Sequence, residues 1–160
     1  MPALEGTGIN IMKKLFAQII KFGFVGGLCF LIDFVITMIV NHVLHAVTGM
    51  AFETTATVAG FFGFTISVIV NYILSMKFVF ERKEDMSKKK EFIIFLILSI
   101  IGLGINEVVI WFCTGVLYKD IRWLQETFNN TVYLAGAKIL ATAIVMVYNF
   151  VSRKIFLEKH

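Results

Sequence analysis

Charged residues almost vanish from four stretches of the chain, 22–40, 56–76, 92–113 and 132–151, and crowd the segments between them. An α-helix needs roughly 20 apolar residues to cross a hydrocarbon core of about 30 Å. None of the four stretches contains proline, so each predicts one unkinked transmembrane helix. Two flanking segments are patterned differently. In 10–21 and its approach, Ile9, Met12, Leu15, Phe16, Ile19 and Ile20 share a helical face, with Lys13, Lys14 and Gln18 mostly on the other. In 116–128, Leu117, Ile121, Leu124 and Phe128 do the same among Lys119, Asp120, Arg122 and Glu126, and Tyr118 and Trp123 suit a headgroup layer. Both predict short interfacial amphipathic helices that lie on the membrane. The expected fold class is all-α integral membrane, a single membrane domain over 1–160 with four transmembrane helices.

Composition points the same way. Hydrophobic residues make up 58% of the 160 and charged residues 16%, against about 45–50% and 25% in soluble domains. The mean hydropathy is +0.84. A soluble globule of this size leaves roughly a third of its chain's surface wet and cannot hide that much apolar area. Cys29 and Cys113 lie in apolar runs without a CxxC or metal-ligand spacing and read as buried free thiols. Residues 1–10 lack the order of a cleaved signal peptide, so the first span is expected to act as its own insertion signal.

The net charge of +4 changes the picture only through its placement. Lys13, Lys14 and Lys21, then Lys77, Arg82, Lys83, Lys88, Lys89 and Lys90, then Arg153, Lys154 and Lys159 all fall on one side of the four spans. Lys119 and Arg122 fall on the other, and Lys138 lies inside a span. The positive-inside rule then puts both termini in the cytoplasm of a cell-membrane protein, with a basic collar facing anionic lipids. No basic patch interleaved with base-stacking aromatics points to nucleic acid. His42 and His45 offer two of the ligands a metal would need and no third, so no metal and no other cofactor is expected. Asn129-Asn130-Thr131 matches a glycosylation acceptor triplet, as chance would also produce.

The chain also repeats itself. Aligning Ser75 with Ser152 brings Met76-Lys77-Phe78 onto Arg153-Lys154-Ile155, and the first and third spans each follow a basic cluster and carry an acid in the outer half. Two copies of a two-helix hairpin would share one orientation, related by a pseudo-two-fold axis along the membrane normal. Phe22-Gly23-Phe24-Val25-Gly26-Gly27 with Asp33, the run Asn71-Tyr72-Ile73-Leu74-Ser75-Met76-Lys77-Phe78-Val79-Phe80, and Asn149-Phe150-Val151-Ser152-Arg153-Lys154 together resemble the GtrA-like family. That resemblance covers about 21–156. It implies a small four-span protein of cell-surface polysaccharide or teichoic-acid glycosylation, and movement of polyprenyl-phosphate-linked sugars across the cytoplasmic membrane. Met76 departs from the family, which often has a second basic residue there; the Arg153-Lys154 pair keeps the expected phosphate clamp at the second hairpin.

Three ionisable residues sit within the spans. At 1.5 Å per residue, Asp33 stands about 18 Å beyond Lys21, Glu107 about 24 Å beyond Glu91, and Lys138 about 22 Å from Arg153. Facing lipid, each costs roughly 2.5–3.5 kcal/mol near the helix centre, so all three are expected to face inward. A Lys138–Glu107 pair is the simplest arrangement. It would serve either as an ion pair fixing helix register or as a counter-charge to a passing phosphate, with Asn106 adding an amide donor. Nearer the basic side, Asn71 and Asn149 would bond a neighbouring helix or a headgroup. Lys77, Arg153 and Lys154 would capture phosphate or serve as snorkelling anchors. Small residues, Gly23 with Gly27, Ala59 with Gly63, and Gly102, Gly104, Ala137 and Ala141, are expected at helix contacts.

No nucleophile with a nearby base, phosphate-cradling loop or paired carboxylates points to an enzyme. Two functions remain. One is a flippase for a polyprenyl-phosphate sugar, either passive, driven by consumption outside, or coupled to protons through Asp33 or Glu107. The other is a non-catalytic subunit that docks a membrane glycosyltransferase and presents its lipid-linked substrate. Four spans make a thin bundle, so a homo-oligomer is expected. A cation antiporter fits less well, because Lys138 opposes cation passage.

Overall fold

A computed structural model describes residues 2–159, with side chains over 8–159 apart from 53, 130, 131 and 134. The described chain is 89% helical: α1 (Pro2–Thr48), α2 (Phe52–Leu74), α3 (Lys88–Trp111), α4 (Tyr118–Asp120), α5 (Arg122–Thr127) and α6 (Asn130–Leu157). Four helical runs, Gly8–Thr48, Thr54–Val79, Lys88–Asp120 and Ala135–Leu157, are long and apolar enough to cross a membrane. They make this a multi-pass, all-α integral membrane protein. Contacts divide the chain between Arg82 and Lys83 into two compact units. In one, α1 packs along α2; in the other, α3 packs along α6. Each unit is thus one of the two hairpins that the sequence repeat predicts.

In the first unit the turn between the helices is short because α1 ends on a glycine cap. Gly49 takes a left-handed conformation (φ 63°) and donates its N–H to His45 O at 3.2 Å, as helix C-termini favour. The His45 ring donates from Nδ1 to Met50 O at 3.0 Å, which gives this histidine a capping role. At the other end of the hairpin, α2 widens into a π-helical turn, Ser75–Val79, closed by Phe80 N–H donating to Ser75 O at 2.9 Å. The extra residue that a π turn accommodates brings the end of α2 back onto α1. Gln18 Nε2 donates to Val79 O at 3.1 Å, and the Phe22 and Phe80 rings meet at 5.9 Å.

That contact corrects one expectation. Segment 10–21 is not a separate interfacial helix but the unbroken start of α1, because Gln18 and Phe22 are buried in the hairpin and hold this stretch in line with the first span. The small residues sort by position. Ala59, Gly63, Gly102, Ala137 and Ala141 are buried. Gly23, Gly27 and Gly104 instead have nothing near the place where a side chain would start, so they are not points of close helix approach.

In the second unit, Ser87 caps α3 by accepting from the Lys90 N–H at 3.3 Å. The segment expected as one outer amphipathic helix, 116–128, is divided. Its first part continues the third span through a π-helical stretch, Phe112–Leu117, into α4. Ile121 is extended and breaks the run, and α5 follows. Gln125 Nε2 ties the break by donating to Tyr118 O (2.7 Å) and Lys119 O (2.9 Å). The π-helical carbonyl of Cys113 accepts from the Tyr133 hydroxyl at 2.9 Å. Asn129 caps α6, its side chain accepting from Val132 N–H at 2.9 Å, which gives the acceptor triplet a structural role; the side chains of Asn130 and Thr131 lie outside the described residues. Both cysteines are buried.

Candidate functional site

At the open end of the second unit a cation is built into the helix contact. Arg153, near the end of α6, is only 2% exposed. Its guanidinium carbon lies 3.8 Å over the Phe95 ring, and Nη2 donates to Ser99 Oγ at 3.0 Å. Ser99 Oγ itself donates to Phe95 O at 2.9 Å, so the hydroxyl is oriented to accept from the arginine. Glu91, Phe95 and Ser99 are spaced four apart and share one face of α3, and Glu91 is also 2% exposed. Lys154, one residue on, forms an ion pair with Glu158, a buried carboxylate one turn further along. Asn149, one turn before Arg153, presses its amide on Gly102 of α3, where an added Cβ would stand 2.9 Å from Asn149 Oδ1.

The first unit uses the same positions with neutral residues. Gln18, Phe22, Val25 and Cys29 match Glu91, Phe95, Leu98 and Gly102 at one constant offset, and all eight are buried. At the α2 and α6 ends, Ser75, Met76 and Phe80 match Ser152, Arg153 and Leu157, again all buried. The buried pair Gln18 and Met76 in one hairpin therefore stands where Glu91 and Arg153 stand in the other. Ser75 donates to Asn71 Oδ1 at 2.9 Å, whereas Ser152 donates to the Asn149 backbone carbonyl at 3.3 Å. Lys77 is exposed, its ammonium 5.3 Å from the Phe78 ring.

Toward the loop end the two units differ. In the first, Asp33 is half-buried and accepts from Thr37 Oγ1 at 3.3 Å. Both side chains lie against Gly63 of α2, where an added Cβ would stand 2.8 Å from the Asp33 carbonyl oxygen and collide with the Asp33 and Thr37 side-chain oxygens. One turn further, Asn41 Oδ1 accepts from Thr55 Oγ1 at 2.7 Å. In the second unit the register that matches Asp33 falls on Asn106. The acid of the third span, Glu107, stands one residue beyond that register. Asn106 Nδ2 donates to Glu107 Oε1 at 3.2 Å.

Glu107 and Lys138 do not face inward as expected. Both are exposed, and neither has an ion-pair partner among the described residues. Of the three cations expected at the phosphate, Lys77 stands at the surface, Lys154 is paired and Arg153 is inside the helix contact. The sequence reading missed Gln18, Glu91, Phe95 and Ser99. The signal was present in the constant offset of the buried faces, which the alignment of Ser75 with Ser152 does not carry into the first and third spans.

A family described as GtrA/DPMS, transmembrane domain, matches residues 21–157. No curated protein and no solved structure matches the chain.

Proposed function

The chain belongs to the GtrA/DPMS transmembrane-domain family, membrane proteins of glycosylation and lipid-linked sugar processes, and from that premise we propose that it is a flippase. Its cargo on this reading is a sugar carried on a polyprenyl phosphate such as undecaprenyl phosphate, moved across the cytoplasmic membrane for cell-surface polysaccharide or teichoic-acid glycosylation. Both termini and the basic collar face the cytoplasm, and the hairpin loops face outside. The polyprenyl tail stays in lipid, so only the phosphate and sugar need a polar route, and the protein contributes no covalent chemistry.

One observation carries the reading. Lys138 is exposed on an apolar span and has no ion-pair partner among the described residues. An ammonium so placed is costly against lipid tails and is retained where an anion meets it. A passing phosphate is that anion. Lys77 at the surface and Lys154 beside its buried partner supply the cationic approach from the cytoplasmic side, with Asn71 and Asn149 at the same end.

The test is transfer of a polyprenyl-phosphate sugar across proteoliposomes, measured as the amount that becomes accessible from outside. Wild type is expected to exceed empty vesicles, and Lys138→Ala to slow transfer roughly tenfold, equivalent to about 1.4 kcal/mol. Wild-type vesicles that move no more lipid than empty ones would sink the proposal and leave the glycosyltransferase-docking subunit as the better account.

A further inference from the structure

We infer that Asp33 is a proton carrier, loaded from the loop end of the first hairpin along Thr37, Asn41 and Thr55, which couples headgroup transfer to a transmembrane proton gradient. This rests on the flippase reading and on its orientation, with the hairpin loops outside.

Asp33, Thr37 and Asn41 are spaced four apart and share one face of α1, and Thr55 reaches that face from α2. Thr37 donates to Asp33, and Thr55, 1% exposed, donates to Asn41. The line from Asp33 to Asn41 covers about 12 Å of helix. Added to the roughly 18 Å between Lys21 and Asp33, it accounts for the thickness of a hydrocarbon core. Hydroxyl and amide groups both donate and accept, and the two hydrogen-bonded pairs, Thr37 with Asp33 and Thr55 with Asn41, stand one helical turn apart, a gap that a single bridging water would close for a proton. Polar side chains within a membrane span are expensive and mark ion or proton routes.

Space decides what the line can carry. Where α1 meets α2, not even a methyl group fits at Gly63 without striking the Asp33 carbonyl oxygen at 2.8 Å. A phosphate or a sugar ring is excluded there, and a proton is not. Nor does the hairpin architecture require the line. At the matching register the second unit has Asn106, an amide that does not titrate, and Ile110 in place of Thr37.

Few charges face Asp33. After Glu53, α2 carries none through to Leu74, and the π turn beyond it adds Lys77 at the far end of the hairpin. On α1 the nearest ionisable groups are the buried Cys29 thiol one turn away, Lys21 toward the cytoplasm, and His42 and His45 toward the loop, both exposed. Glu107 is exposed, and the hydrogen bond seen at its carboxylate comes from the adjacent Asn106.

The step balances without another reactant. A proton from outside water forms an O–H bond on the Asp33 carboxylate and neutralises it, which lowers the cost of that group in an apolar contact. Breaking the same bond toward the cytoplasm releases the proton, so one proton moves inward for each headgroup moved outward.

The experiment uses the same vesicles with the electrical potential clamped by potassium and valinomycin, and with protein orientation fixed by protease mapping. Transfer of the polyprenyl-phosphate sugar is compared at equal pH and with the loop side one pH unit more acidic. Wild type is expected to gain up to about tenfold in accumulation for one proton per cycle. Asp33→Asn, which installs the second unit's amide, is expected to lose that gain, and Asn41→Leu to reduce it. Wild-type transfer that ignores the gradient, or an Asp33→Asn response equal to wild type, overturns the proton inference and leaves the flippase reading standing. No wild-type transfer in either condition overturns both. The wild-type comparison decides whether or not either variant folds.

Discussion

Arg153→Met is expected to destabilise the protein by about 3–5 kcal/mol, the range for removing one partner of a buried charged contact. The guanidinium fills the contact between α6 and α3, stacked on Phe95 and bonded to Ser99. Methionine has the length to fill part of that volume but donates nothing to Ser99, while Glu91, 2% exposed and on the same face of α3 as Phe95 and Ser99, keeps its charge in a contact that has lost its cation. The first hairpin shows how the same architecture manages without charge, using Gln18 and Met76 at the matching positions. The double variant Glu91→Gln with Arg153→Met is therefore expected to recover most of the loss. Thermal unfolding in detergent, read together with monodispersity, checks both. A double variant as unstable as the sum of its parts would show that the two positions act independently.

Gly63→Ala is expected to be nearly as damaging at the other hairpin, costing about 1–3 kcal/mol, the usual range for forcing extra atoms into a packed contact. The nearest obstacles are the side-chain oxygens of Thr37 and Asp33, but behind them stands backbone that cannot swing aside. The Asp33 carbonyl oxygen lies 2.8 Å from where the new methyl would stand, so α1 and α2 would have to separate. Gly60→Ala, three residues earlier on the same helix, meets nothing within 4 Å and is expected to be neutral or slightly stabilising, because alanine favours helix over glycine by about 1 kcal/mol. Melting temperatures of the two variants, measured side by side in the same detergent, separate packing from propensity.

The four spans and the doubled hairpin were legible because hydrophobic run length and basic flanks depend on composition, which any chain exposes directly. What joins two helices was less legible. A π turn leaves no mark in hydropathy, so neither Ser75–Val79 nor Phe112–Leu117 could be read, and with them went the contact that places Gln18 on Val79. The same blindness made 10–21 look like a free amphipathic segment. Its apolar face carries enough residues to lie on a membrane and stays exposed, and only the burial of Gln18, on the other face, and of Phe22 ties the segment to the hairpin. Among the site residues, Asp33 was found because an acid in an apolar run stands out. Thr37, which donates to it, and Asn41, two turns on, did not stand out, since threonine and asparagine are unremarkable by composition and gain meaning only when Gly63 and Thr55 bring α2 against them. Arg153 was identified for its charge, but its burial depends on Phe95 and Ser99, more than fifty positions earlier in the chain.

The length of α1 has a mechanical consequence. Its 47 residues make a rod of about 70 Å. Fitting that rod inside a hydrocarbon core of about 30 Å would need a tilt near 65°, well outside the roughly 0–40° that membrane helices adopt. The rod therefore emerges from the core at the end that bears Lys13 and Lys14, as a stiff stem continuous with the span. Such a stem is a ruler. It fixes the stand-off of anything attached to its tip, and deleting whole turns would shorten that distance in steps of about 5.4 Å.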